Sequence, residues 1–238
     1  MNIIIILLVI LIIIETIRLS VLGYRSKLLA KRAVRFSRTS NPKAPSILIA
    51  GDSLAYGTGA SSATFSLAGR LAQDYQNYTI VNIAENGANF NQVTQQLVGV
   101  RKQKFDIIII FVGGIDTICL LRLTKAKQQL SKLYREAKKL GSRHVIHVSV
   151  NNTGSTPMFR FPLNYLFSYR SLKMSELVNS LTVKHNIIHH PLYILKKYEP
   201  LLKQANCFSG DKIHPNDQGY EIWYKEIKQT ISRYLKDI

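Results

Sequence analysis

Apolar residues follow three patterns along this chain, and each pattern predicts a different element. Residues 3–14 are twelve aliphatics without interruption. Short near-continuous apolar runs at 46–50, 79–84, 105–112, 144–150 and 187–190 read as strands. The run at 105–112 is the clearest, and aliphatics of that density belong to a strand covered on both faces, as parallel sheets require. Between the runs, apolar residues recur at helical spacing over 64–75, 89–100, 123–140, 172–185 and 217–235. Strand and helix therefore alternate, which predicts an α/β fold: a doubly wound parallel sheet with helices on both faces, in flavodoxin-like strand order. Two prolines and a serine between residues 40 and 45 mark a lead-in to the first strand.

As a helix, the twelve aliphatics reach only about 18 Å, against roughly 30 Å of hydrocarbon core. The apolar pattern continues through Ile17, Leu19, Val21 and Leu22, broken by Glu15 and Arg18, which stand three apart and so share a helix face. A cleaved signal peptide is the rival reading. It lacks a basic leading region, and Val21-Leu22-Gly23 is a poor cleavage site. The expected organisation is thus a transmembrane anchor at 1–23, a basic juxtamembrane linker at 24–44 and one domain at 45–238. Arg25, Lys27, Lys31, Arg32, Arg35, Arg38 and Lys43 follow the apolar segment with no acid among them. The positive-inside rule then places the domain on the cytoplasmic side, the alternative being a periplasmic or secreted domain after cleavage.

Charge sharpens this picture. The net charge is +18, of which residues 1–43 carry +7 and the rest +11. Basic residues of the domain are spread along helical segments rather than interleaved with stacking aromatics, so no nucleic acid partner is expected. A basic body beside an anchor suits anionic lipid, at about 1 kcal/mol per well-placed charge. Cys119 and Cys207 form neither a disulfide framework nor metal-ligand spacing, and no metal or other cofactor is expected.

Candidate chemistry begins where the first strand ends, at Gly51-Asp52-Ser53. A serine on a tight turn from strand to helix displays its hydroxyl at the carboxyl edge of the sheet, where ligands of open α/β folds bind. An ordinary glycine-rich turn or an anion-binding loop would look the same. Far downstream, Asp211 and His214 stand three apart in the stretch Gly210-Asp-Lys-Ile-His-Pro-Asn216. That spacing lets the carboxylate accept from imidazole Nδ1 and leaves Nε2 outward as a base. His144, His147, His185, His189 and His190 lie in or beside strands and read as structural.

Together these pieces resemble the SGNH (GDSL-type) hydrolase family over roughly residues 45–238. The resemblance implies the SGNH hydrolase fold and a serine nucleophile at Ser53, with His214 as general base and Asp211 orienting it. It also implies that Gly87, in Asn86-Gly87-Ala88-Asn89, offers its backbone N–H to the oxyanion beside that of Ser53. The third family block departs. Where the family has an asparagine that donates to the oxyanion, this chain has Ile115, in Gly113-Gly114-Ile115-Asp116. A lost oxyanion donor costs on the order of 100- to 1000-fold in kcat, so a slowed hydrolase is expected, with Asn86 or Asn89 as stand-in donors. A degenerate, non-catalytic acyl-binding protein is the alternative.

The stretch 156–169 is rich in aromatic and aliphatic residues and leaves the sheet at the same edge as Ser53. Either it is a loop packed over the core, or Phe159, Phe161 and Leu163 wall a substrate site. The second reading fits a membrane-tethered esterase of lipid, lysophospholipid or acetyl esters, with glycan O-acetyl groups as the competing substrate.

Overall fold

The computed structural model describes residues 3–101, 103–204 and 206–235. The first two residues of the expected anchor and the last three of the domain lie outside this set. Five strands form one parallel sheet: β1 (Ser46–Gly51), β2 (Thr79–Asn82), β3 (Ile107–Phe111), β4 (His144–Ser149) and β5 (Ile188–Pro191). Their order is β2-β1-β3-β4-β5, the flavodoxin-like arrangement.

The helices are α1 (Ile3–Arg32), α2 (Ser53–Tyr56), α3 (Leu67–Asp74), α4 (Phe90–Gly99), α5 (Gly114–Ile118), α6 (Leu123–Lys139), α7 (Leu163–His185), α8 (Pro200–Lys203) and α9 (Asp217–Leu235). Successive strand residues point to opposite faces, and the core divides accordingly. Ile47, Ile49, Ile107 and Ile109 meet α3 and α9 on one face. Leu48, Ala50, Ile108 and Ile110 meet α4, α6 and α7 on the other. All five residues of β3 are buried, as its unbroken aliphatic run requires.

Two stretches differ from their sequence reading. α1 runs on to Arg32, well into the segment expected to be a linker. The remainder of that segment is not free either. Arg38 exchanges two backbone hydrogen bonds with Ile80, at 2.9 and 2.8 Å, and so covers the outer edge of β2. Its guanidinium donates to the carbonyls of Ala72, Tyr75 and Tyr78. Farther along, α7 begins at Leu163, nine residues before the helical pattern becomes readable at 172. Its opening turns carry Tyr165, Leu166 and Tyr169 in exposed positions, which blurs the contrast between its faces.

Candidate active site

The site stands at the carboxyl ends of β1 and β3, the point where strand order reverses and a crevice opens. Gly51 ends β1 at φ +155, and a Cβ there would sit 2.2 Å from Phe111 O, so only glycine lets the chain pass this close to β3. Asp52 caps α2, accepting from Leu54 N–H at 3.0 Å. Ser53 is the first residue of α2 and is half-buried, its amide donating to no other described residue.

The turn carrying His214 is fastened to this corner by the loop after α2. Gly59, at φ +99, approaches so closely that a Cβ would lie 2.3 Å from Pro215 O. Ser209 Oγ donates to Gly59 O at 2.9 Å, and the buried Tyr220 hydroxyl donates to Thr58 O at 2.8 Å. Within the turn, one Asp211 carboxylate oxygen accepts from the backbone N–H groups of Ile213 and His214, at 3.2 and 3.1 Å. The other meets His214 Nδ1 at 2.5 Å. His214 Nε2 then lies 2.8 Å from Ser53 Oγ, across 161 residues of chain.

Asp211 is fully buried. Burial works to raise its pKa, but the His214 imidazole and the two backbone N–H groups outweigh it and hold the carboxyl below its usual range. An ionised Asp211 fixes the tautomer of His214 with Nδ1–H toward the carboxylate, leaving Nε2 to accept the serine proton. Such a chain of serine, imidazole and carboxylate is able to generate a nucleophilic alkoxide.

Two further acids line the base of the corner. Burial pushes Asp52 up to about 6, against the Leu54 N–H and the His214 charge, which favour its ionised form. Asp116 is pushed up to about 7 by burial, opposed by Phe90 N–H and reinforced by the neighbouring Asp52 charge. Phe90 N–H donates to Asp116 at 3.2 Å, so this acid anchors the start of α4 to α5.

A cavity of about 440 Å³ opens over Ser53 and His214. That size falls within the roughly 300–1,000 Å³ usual for ligand sites. Its lining is mostly apolar: Ile115 and Ile118 from α5, Met158 and Phe159 from the loop before α7, and Ile213 and Trp223 near the histidine. Of the three residues expected to wall a substrate, only Phe159 lines this cavity, braced by Phe167 with ring centroids 4.2 Å apart. Phe161 instead projects into solvent, 78% exposed, where it meets the edge of Tyr165. Leu163 opens α7 outside the lining, since the helix starts there rather than nine residues on.

Gly87 sits in a turn laid against the Gly51–Ser53 corner, because Glu85 N–H donates to Gly51 O at 3.0 Å. Its amide donates to no other described residue, and Gly87 does not itself line the cavity. The stand-in donors expected from sequence are committed elsewhere. Asn86 donates to Ala30 O at 3.1 Å and accepts from Thr58. Asn89 caps α4 in a reciprocal pair with Gln92. Ile115, which the family resemblance sets at the donor position, lines the cavity.

The sequence reading missed the part played by α1, from which Leu19, Gly23, Ser26 and Lys27 reach the cavity. Their spacing of four, three and one was visible as a helical stripe, but nothing in the sequence showed what it faced.

Comparison with known proteins agrees with this geometry. The model of the GDSL-like lipase/acylhydrolase family matches residues 49–222. Among solved structures, TesA is similar at 16% identity and a TM-score of 0.65, covering 79% of this chain and 99% of its own. The esterase EstA from Pseudoalteromonas sp., in a structure inhibited by monoethylphosphonate, is 14% identical with a TM-score of 0.65, covering 80% of this chain and 98% of its own. An extracellular lipase from Streptomyces rimosus is 17% identical with a TM-score of 0.60, covering 78% and 99%. No curated protein matches the sequence. With the family match running from β1 into α9 and so across both halves of the serine–histidine pair, the chain belongs to the GDSL-like lipase/acylhydrolase family.

Proposed function

We propose that this chain is a membrane-anchored serine esterase. The observation that carries the reading is the unbroken contact series Ser53 Oγ, His214 Nε2, His214 Nδ1, Asp211 Oδ2, at 2.8 and 2.5 Å. Ser53 Oγ attacks the ester carbonyl as His214 takes its proton, and Asp211 stabilises the imidazolium. The oxyanion is held by the Ser53 and Gly87 amides. His214 protonates the departing alkoxide, then deprotonates a water that attacks the acyl-enzyme; collapse returns the carboxylic acid and Ser53. Ile115 leaves the oxyanion with fewer donors than a full set, so turnover is slow but present. The apolar lining favours lipid or lysophospholipid esters over glycan O-acetyl groups.

α1 is long and apolar enough to cross a membrane, and a signal sequence passes the same test. Retention as an anchor is favoured by Leu22, which is buried, and by Arg18, which donates to Met158 O at 2.7 Å. Cleavage after Gly23 would remove both. Residues 24–32 continue the helix along the domain and end it with Lys31 and Arg32, whereas Arg35 and Arg38 are committed to carbonyls of the domain. The positive-inside rule puts the domain in the cytoplasm.

The test is hydrolysis of p-nitrophenyl esters by the full chain in detergent micelles, with Ser53→Ala as control. Release that disappears in the variant is the expected result. One observation favours a second reading: with Ile115 at the donor position, the site is suited to holding an acyl group without turnover. That reading predicts no release from any ester, together with a lipid-induced thermal shift that survives Ser53→Ala.

A further inference from the structure

Past Ile14 the uninterrupted aliphatics end, yet α1 continues to Arg32, and this second half lies on the domain. Leu22 is buried there. The Arg18 guanidinium donates to Met158 O at 2.7 Å and that of Arg25 to Gly210 O at 3.3 Å. Toward the end of the helix, Ala30 O accepts from Asn86 at 3.1 Å. Three separate loops thus grip one helix: the one before α7, the histidine turn and the turn after β2. The first two are themselves joined, since Met158 N–H donates to Lys212 O at 3.0 Å.

Leu19, Gly23, Ser26 and Lys27 form a single stripe of α1, and that stripe closes one side of the cavity over Ser53. Gly23 stands at its centre. Glycine weakens a helix interior, and Gly23 is not required here by close packing, because a Cβ built on it meets nothing within 4 Å. The space a larger side chain would fill belongs to the cavity.

We propose that this stripe of α1 is a wall of the substrate site, and that Gly23 sets the width left for the hydrocarbon chain of an ester held beside Ser53. The ligand class is a linear alkyl ester, its chain lying between Leu19 and Gly23 on one side and Met158 and Phe159 on the other. The inference rests on the serine esterase reading, so its test needs one measurement with turnover and one without.

With turnover, the full-length protein in micelles is assayed on p-nitrophenyl octanoate and p-nitrophenyl acetate. Gly23→Leu is expected to lower the octanoate-to-acetate ratio of kcat/KM by tenfold or more, and Gly23→Ala by less. Leucine is the better helix former, so a lowered ratio is not a symptom of a broken helix. Tyr24→Leu, one position on and 63% exposed, leaves the ratio where it was. Without turnover, Gly23→Cys in a Cys119→Ser background is labelled with N-ethylmaleimide; the other cysteine, Cys207, is buried. Octanoate is expected to slow the labelling at least threefold. An active enzyme whose ratio and labelling both ignore these changes overturns the wall and leaves the esterase reading standing. An inactive enzyme in which octanoate still protects position 23 does the reverse. If activity and protection are both absent, both fall.

Discussion

Of the four imidazole–hydroxyl pairs among the described residues, that of His214 is arranged for chemistry and that of His147 is not. At the edge of the sheet, His214 Nε2 meets Ser53 Oγ at 2.8 Å. In the interior of β4, His147 Nδ1 meets the Tyr134 hydroxyl at 2.5 Å, and Nε2 meets Val112 O at 3.3 Å. The second pair is completely buried, and burial, helped by the neighbouring His189, pushes His147 down to about 3. It stays neutral, donating from Nε2 and accepting from a phenol that burial keeps protonated. What separates the two is the third partner and the opening. His214 has a buried carboxylate behind it and a cavity in front, so an imidazolium formed there is both stabilised and useful. His147 has a carbonyl behind it and packed side chains all round. A hydroxyl next to an imidazole is a structural pair by default, and the carboxylate together with access makes it a reactive one.

The largest test of this contrast exchanges the roles. His214→Ala is expected to lower kcat for ester hydrolysis by about 10³-fold or more, whereas His147→Leu leaves the folded enzyme turning over at a rate within a few-fold of the parent. Comparable losses in both variants would break the distinction. A smaller effect sharpens the reactive side: Ile115→Asn restores a donor at the cavity and is expected to raise kcat about tenfold, part of the 100- to 1000-fold that one such donor is worth. An unchanged rate would mean that the oxyanion is already fully satisfied.

Next comes the cost on the structural side. His147→Leu strands the Tyr134 hydroxyl and is expected to cost about 1–3 kcal/mol in urea unfolding at pH 7.5. The smallest effect is in the pH dependence of that cost. The folded pKa of His147 lies near 3 and its ordinary value is 6.5, so below 6.5 the unfolded chain binds the proton first. The stability contributed by neutral His147 is therefore full above pH 6.5 and falls as the pH drops toward 3. Between pH 7.5 and 5 the gap between parent and variant should narrow by about 2 kcal/mol. A gap that stays constant would show that His147 is not held neutral by the fold.

Much of this arrangement was legible in the sequence, for identifiable reasons. A parallel strand buried on both faces has no way to look except apolar throughout, and 107–111 does. Asp211 and His214 were readable as a pair because their partnership is local, closed within one turn. The meeting of Ser53 with His214 could be anticipated only by resemblance, since Gly59 and Tyr220, which create it, act through a close backbone approach and a hydroxyl-to-carbonyl bond that leave no pattern. The same limit explains the misread residues. Asn86 and Asn89 look equally free to donate until the structure commits one to Ala30 and the other to capping α4. Phe161 and Phe159 are two residues apart and chemically identical, yet one faces solvent and the other the cavity. As for α1, Leu19 and Leu22 continue a hydrophobic run that lipid and protein would satisfy equally well, so its docking was invisible.

The continuity of α1 makes it a strut rather than a tether. From Ile14 to Gly23 is nine residues of unbroken helix, about 14 Å at 1.5 Å per residue. In the anchored arrangement proposed above, with the aliphatic end in the hydrocarbon, α1 would carry the Ser53–His214 pair at one fixed height above the bilayer, unable to swivel or drift as on a flexible leash. Trimming α1 away to leave the domain alone, a routine convenience, would remove a side of the cleft over Ser53.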